Sequence, residues 1–257
     1  MKIYQVDAFT DEVFKGNPAA VVPLEQWLPT ETMQQIAAEN NLAETAFFVK
    51  ENENYHIKWF TPTVEIELCG HATLASAFVL FNYLHYDKDE IRFNCMVGEL
   101  LVKKEGEYIT LNFPSDGGVE VEDVSSLEQH LGLKIRHAKM GRTKYLVEVD
   151  SEELIRNYKP DFQKIKNIDK QVIITARGSD VDFVSRFFAP NSGVDEDPVT
   201  GSAHCVLIPY WAEKLHKQEL TAMQLSNRTG FLKCKNLNER VEMSGKGFCY
   251  LIGEIFI

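Results

Sequence analysis

Cys69-Gly70-His71-Ala72-Thr73, reached from Trp59-Phe60-Thr61-Pro62 and followed by an apolar run, has a near copy later in the chain. There Phe187-Phe188-Ala189-Pro190 leads to Thr200-Gly201-Ser202-Ala203-His204 and a second apolar run. The parallel extends outward. Arg92-Phe93-Asn94-Cys95-Met96-Val97-Gly98 matches Gln224-Leu225-Ser226-Asn227-Arg228-Thr229-Gly230, and Leu100-Leu101-Val102-Lys103 matches Phe231-Leu232-Lys233. Gly70 and Gly201 are 131 residues apart, Gly98 and Gly230 132. A nearly constant offset across separate motifs is the mark of an internal duplication. It predicts two similar lobes facing a shared cleft, each with a glycine-opened helix.

The pattern around these helices is mostly β. Strands are expected over 2–8, 19–22, 45–50, 55–60, 91–95, 99–104 and 108–113 in the first half. In the second they are expected over 144–150, 171–176, 182–188, 220–225, 230–235, 240–243 and 249–257. Besides the two glycine-opened helices (71–86 and 201–215), helices are expected from Pro29-Thr30-Glu31, with Thr30 as its cap, to Asn40-Asn41, and over 126–131. Pro209 should bend the second long helix, because proline lacks a backbone donor. Pro114-Ser115-Asp116-Gly117-Gly118 reads as a linker. The expected fold is α+β, with pseudo-symmetric lobes 1–116 and 117–257. Each lobe is a curled, mainly antiparallel, barrel-like sheet around a central helix, and the final strand is a candidate to pack back on the first lobe.

Composition narrows the function classes. Hydrophobic residues make up 44% of the chain, enough for a core that needs no disulfide or metal. The net charge of -11, without a Lys/Arg cluster, argues against nucleic acid and against an anionic membrane surface. Five cysteines, with no CxxC pair, suit free thiols in a reducing compartment. No signal-peptide pattern opens the sequence, and the run from Ala72 to Leu84 is too short to span a bilayer. A cytoplasmic protein is the expectation.

The first turn of a helix has unpaired N–H groups and a partial positive charge, which suits a carboxylate or phosphate. Gly70 and Gly201 open such turns and leave the backbone approachable. No Lys-Ser/Thr follows either glycine, so a P-loop is not indicated. Glu44, at the start of an otherwise apolar strand, is a candidate acid/base group whose partial burial would raise its pKa. His71 lies in the first turn of its helix, where the dipole would lower its pKa and favour neutral imidazole. Asp195-Glu196-Asp197 puts three carboxylates before the second helix, with Asp197 closest to its start. His204 reads as packing. Cys69 and His71 alone give too few ligands for zinc, and no metal is expected.

Asp7-Ala8-Phe9, Gly16-Asn17-Pro18-Ala19-Ala20-Val21, Asn41-Leu42-Ala43-Glu44-Thr45, Phe60-Thr61-Pro62, Gly70-His71-Ala72-Thr73 and Glu196-Asp197-Pro198-Val199-Thr200-Gly201-Ser202-Ala203 occur in that order. In these segments the chain resembles the PhzF-like family of phenazine-biosynthesis isomerases, within the diaminopimelate-epimerase-like fold. The resemblance implies an active site between the lobes, a homodimer, and proton relocation in a small unsaturated or cyclic carboxylate without cofactor or metal. It implies that Glu44 shuttles the proton, that His71 and Asp197 assist, and that Gly70, His71, Gly201 and Ser202 hold the substrate. Related racemases flank their substrate carbon with two thiols. Here the residue in register with Cys69 is Thr200, which weighs against an amino-acid epimerase or racemase. A non-catalytic protein that binds small anions is the other alternative.

Overall fold

The computed structural model describes all 257 residues. Its first segments are β1 (Lys2–Ala8), β2 (Asn17–Leu24), α1 (Thr30–Asn40), β3 (Glu44–Glu51), β4 (Asn54–Phe60), β5 (Glu65–Ile66), α2 (Gly70–Tyr83), β6 (Glu90–Cys95), β7 (Gly98–Glu105) and β8 (Tyr108–Pro114). Then come β9 (Val119–Glu120), α3 (Ser125–Leu131), β10 (His137–Met140), β11 (Lys144–Glu148), α4 (Glu152–Asn157), α5 (Phe162–Ile165), β12 (Gln171–Arg177) and β13 (Phe183–Ala189). The last are β14 (Val194–Asp197), α6 (Gly201–Leu215), β15 (Glu219–Gln224), β16 (Gly230–Asn236), β17 (Arg240–Gly245) and β18 (Gly247–Glu254). These elements form two compact units, Met1–Asn112 with Ser244–Ile257, and Phe113–Met243.

The first unit is an open mixed sheet in the order β18-β1-β2-β3-β4-β6-β7-β8. Its two parallel pairs, β2 with β3 and β4 with β6, are joined through α1 and α2, as parallel neighbours require a crossover. The second unit repeats the plan. β11 lies parallel to β12 across α4 and α5, β13 parallel to β15 across α6, and the other neighbours are antiparallel. α2 is buried on all sides, from His71 through Leu74 and Val79 to Phe81, and packs on β1, β2 and β3. A helix apolar all round can be stable only when enclosed. α6 is enclosed in the same way against β11, β15 and β16, with Val206, Leu207 and Trp211 at full burial. Pro209 leaves the Cys205 carbonyl without its helical donor, and the Asp116 N–H takes that place at 2.9 Å.

Strand pairing aligns the two units residue by residue. Phe60 pairs with Glu65 on β5, and Phe188 with Glu196 on β14. The longer second loop supplies three extra residues, so Trp59 matches Phe187 while Ile66 matches Asp197. Gly70 and Gly201 then open α2 and α6. One sequence match is corrected. Cys95 ends β6 opposite Gly98, whereas Gln224 ends β15 opposite Gly230. Gln224 is therefore equivalent to Cys95 rather than Arg92, and the extra residues lie in the turn after it.

Several local expectations shift. Thr30 is the first helical residue of α1 and its cap is Pro29, while Asn41 ends that helix in a left-handed conformation. α4 and α5 were not expected. Ser151 and Asp161 cap them through side-chain acceptors for the N–H groups of Leu154 and Lys164. β2 begins at Asn17 because Gly16 turns the chain at φ +67, where an added Cβ would stand 2.3 Å from the Ala8 carbonyl oxygen. Gly16→Ala is expected to cost more than about 2 kcal/mol in chemical denaturation. A loss under about 0.5 kcal/mol, the usual scatter for an innocuous surface change, would mean that the turn relaxes.

Candidate active site

Three element starts bring one set of side chains together in the first unit. Asn17 opens β2, Glu44 opens β3 beside Ala19 of that strand, and His71 lies in the first turn of α2. His71 is 5% exposed and the Glu44 side chain 17%. The Asn17 amide nitrogen donates to His71 Nδ1 at 3.2 Å. In a neutral ring this leaves the proton on Nε2, which stands 3.1 Å from Glu44 Oε2. That pair meets off the axis of a straight hydrogen bond, and neither atom has another partner. The fold thus leaves a carboxylate oxygen and an imidazole nitrogen facing each other at the start of a helix.

The expected lowering of the His71 pKa is reversed. Burial does oppose its charge, but the Cys69 and Glu44 groups beside it outweigh burial and raise the pKa well above the ordinary histidine value. Cys69, with Sγ 3.5 Å from Nδ1, is itself held as a thiol by burial and by the Glu44 charge. The helix dipole at one end of α2 is a weaker influence than a carboxylate in contact.

In the second unit Asp197 ends β14, Thr200 caps α6, and Gly201 and Ser202 open it. The Thr200 hydroxyl donates to Asp197 Oδ2 at 2.5 Å. Of the three consecutive carboxylates only Asp197 does this. Glu196 is forked onto Arg186 at 2.7 and 2.8 Å, and Asp195 is exposed. Ser202 is exposed in the first turn.

Behind this corner lies Gln224, fully buried and absent from the sequence-derived candidates. Its Oε1 accepts from the Thr200 N–H at 2.9 Å, and its Nε2 donates to the Asp197 carbonyl at 2.8 Å and to Thr200 Oγ1 at 3.1 Å. The signal was present. Leu220, Ala222 and Gln224 alternate on the inward face of β15, and a glutamine at a core position needs partners. Asn17 had the same status, quoted as part of a motif but given no role.

Equivalent positions have diverged. His71 corresponds to Ser202, Asp197 to Ile66, and Glu44, which pairs beside Ala19, to Gln171, which pairs beside Lys144. Cys69 corresponds to Thr200, each the cap of its helix, so no second thiol stands in that register.

His204 packs, as its sequence context suggested. It lies against Phe183, and its Nδ1 donates to the Thr200 carbonyl at 2.8 Å. Thr73 makes the equivalent bond to the Cys69 carbonyl at 2.5 Å. Burial lowers the His204 pKa from 6.5 to about 4. Protonation therefore favours the unfolded chain between these values. The stability it contributes is complete above pH 6.5, falls as the pH drops toward 4 and is constant below. The loss is roughly 3 kcal/mol. His204→Thr, which copies Thr73, is expected to remove about one proton from the pH slope of unfolding over that window. An unchanged slope would sink the assignment.

No helix is long and apolar enough to cross a membrane. The sequence profile of the phenazine biosynthesis-like proteins matches residues 6–253. A Pseudomonas aeruginosa protein described as an uncharacterized isomerase is 49% identical, over 99% of this chain and 98% of that one. A crystal structure of a PhzF-family protein from Enterococcus faecalis superposes with a TM-score of 0.97 at 48% identity, covering 100% of this chain and 99% of that one. A probable proline racemase from Agrobacterium radiobacter shares the fold alone, with a TM-score of 0.64 at 9% identity over 100% of this chain and 93% of that one. Near-complete coverage by profile, relative and structure places the chain in the PhzC–PhzF family of phenazine biosynthesis-like proteins.

Proposed function

We propose that the protein is an isomerase that relocates a proton within a small unsaturated or cyclic carboxylate, with Glu44 as the proton carrier. The observation that carries this reading is the buried, off-axis pair of Glu44 Oε2 and His71 Nε2, 3.1 Å apart and otherwise unpartnered. The Glu44 side chain is 17% exposed, which leaves its second oxygen for a substrate proton while Oε2 faces His71. The description of a 49% identical relative as an isomerase supports the same class.

The chemistry follows from the groups. Glu44 as carboxylate takes a proton from a carbon activated by conjugation, and the electron pair of the broken C–H bond spreads into the conjugated system. The first-turn amides at Gly70-His71 and Gly201-Ser202 would hold the substrate carboxylate and the developing charge. Glu44, now protonated, returns its proton to a second carbon. The sum is an isomerisation, and Glu44 ends in its starting state. His71, kept in place by Asn17, orients the Glu44 carboxylate through Nε2–H. Asp197 and Ser202 are assigned the assisting contacts to substrate.

The test is incubation in heavy water with a panel of small carboxylates, conjugated and cyclic, read by mass spectrometry. Formation of an isomer is the expected result, with deuterium taken up to the extent that protonated Glu44 exchanges with solvent before returning a proton. Saturable carboxylate binding with neither isomer nor exchange in any compound would favour a binding protein instead, and exchange with inversion at a single carbon would favour an epimerase.

A further inference from the structure

We propose that Cys69, His71 and Glu44 together form a binding site for a thiophilic divalent cation, Zn2+ above all, whose occupation blocks the acid/base pair. The sequence offers two ligands two positions apart, one at the cap and one in the first turn of α2, and folding brings the third from β3. One ligand atom from each residue, thiol, imidazole and carboxylate, lies within 4.8 Å of the others. Zinc binds sulfur at about 2.3 Å and nitrogen or oxygen at about 2.0–2.2 Å, so neighbouring tetrahedral ligands stand roughly 3.2–3.6 Å apart. The His71 Nε2 to Glu44 Oε2 separation of 3.1 Å is already near that spacing. The Cys69 Sγ contact at 3.5 Å is to the other ring nitrogen, Nδ1, so the thiol must turn toward Nε2 and Oε2 for all three to meet one ion.

Two further observations point to a cation. Glu44 Oε2 and His71 Nε2 are buried with only each other as polar contact, off the axis of a hydrogen bond, which leaves both short of good partners. No lysine or arginine pairs with Glu44, so its carboxylate has no fixed positive neighbour except the ring of His71. Asn17 already contacts the other ring nitrogen, and a metal-bound histidine needs such a partner there. Turning its amide over presents oxygen to an N–H. The donor set of one thiolate, one imidazole and one carboxylate selects zinc or cobalt over magnesium or calcium, and leaves a fourth position open. On binding, the Cys69 thiol releases its proton to solvent, and the proton on His71 Nε2 also leaves that nitrogen, to Nδ1 or to solvent.

The site itself stands apart from catalysis, whereas its inhibitory consequence rests on the reading of Glu44 as proton carrier. The full-length reduced protein is titrated with Co2+ alone and followed by absorption. The expected result is one saturable site with a thiolate-to-cobalt charge-transfer band that Zn2+ abolishes by displacement. Cys69→Ser should remove the band, and Glu44→Gln should weaken Zn2+ at least about tenfold. Circular dichroism confirms that each variant is folded, and Glu44→Gln, a one-atom exchange, decides the matter if Cys69→Ser does not fold. Absence of saturable binding, or a band that survives in folded Cys69→Ser, overturns the proposal. If the band behaves as expected while no carboxylate is isomerised, the metal site stands and the isomerase reading falls. Where isomerisation is observed, Zn2+ should inhibit it with the midpoint of the absorption titration.

Discussion

Glu44→Gln is expected to lower deuterium exchange into substrate by about a thousandfold or more, the contribution of a positioned general base. The exchange replaces one carboxylate oxygen by an amide nitrogen of the same size and removes the lone pair that takes the proton. The variant should fold as the parent does, because the Glu44 side chain has a single ionic partner, His71, and is 17% exposed. Substrate affinity should change little, since the proposal gives carboxylate binding to helix amides and not to Glu44. A variant that retains more than about a tenth of the parent exchange, well inside the range a base normally supplies, would remove Glu44 from the mechanism. Equal loss of binding and exchange would recast it as a ligand contact.

The duplication was legible because it rests on large features. Repeated Phe-X-Pro, a glycine at a helix start and an apolar run survive divergence, since each is needed to turn the chain or fill the core. Glu44 and His71 were legible for a different reason, as polar residues at the edge of apolar segments. Offsets, by contrast, hide insertions. The three extra residues before β14 and those after Gln224 shift local matches while the overall spacing stays near 131. Short helices such as α4 bury little, so their apolar period is weak, although Ser151 followed by Glu152 and Glu153 carried a capping signal. The direction of the His71 shift could not be read locally. A helix start predicts a lowered pKa, and the folded contacts with Cys69 and with Glu44, the latter 27 positions away, reverse it.

Gln224→Leu is expected to be the most destabilising single change near the candidate site. Glutamine 224 joins β15 to the start of α6 through three bonds, to the Thr200 N–H, the Asp197 carbonyl and the Thr200 hydroxyl. All of these lie where water has little access, because Gln224 is fully buried and Thr200 is 7% exposed. Leucine matches the volume but leaves a donor and two acceptors without partners, at about 1–3 kcal/mol each. Partial relaxation of the helix start would leave a net loss of roughly 3–5 kcal/mol, a large fraction of the stability of a typical domain. The bond from Nε2 also has a chemical consequence. It occupies an acceptor position on Thr200 Oγ1, so the hydroxyl proton is directed at Asp197 Oδ2. Gln224→Glu tests this separately. Its carboxylate can still accept from the Thr200 N–H but cannot donate to Oγ1, and it adds a buried negative charge close to Asp197. It should therefore destabilise the chain most at neutral pH and recover in part on acidification, whereas Gln224→Leu should show no such recovery. If both variants unfold with the midpoint and pH profile of the parent, Gln224 does not hold the corner in place, and the hydroxyl of Thr200 is free to turn away from Asp197.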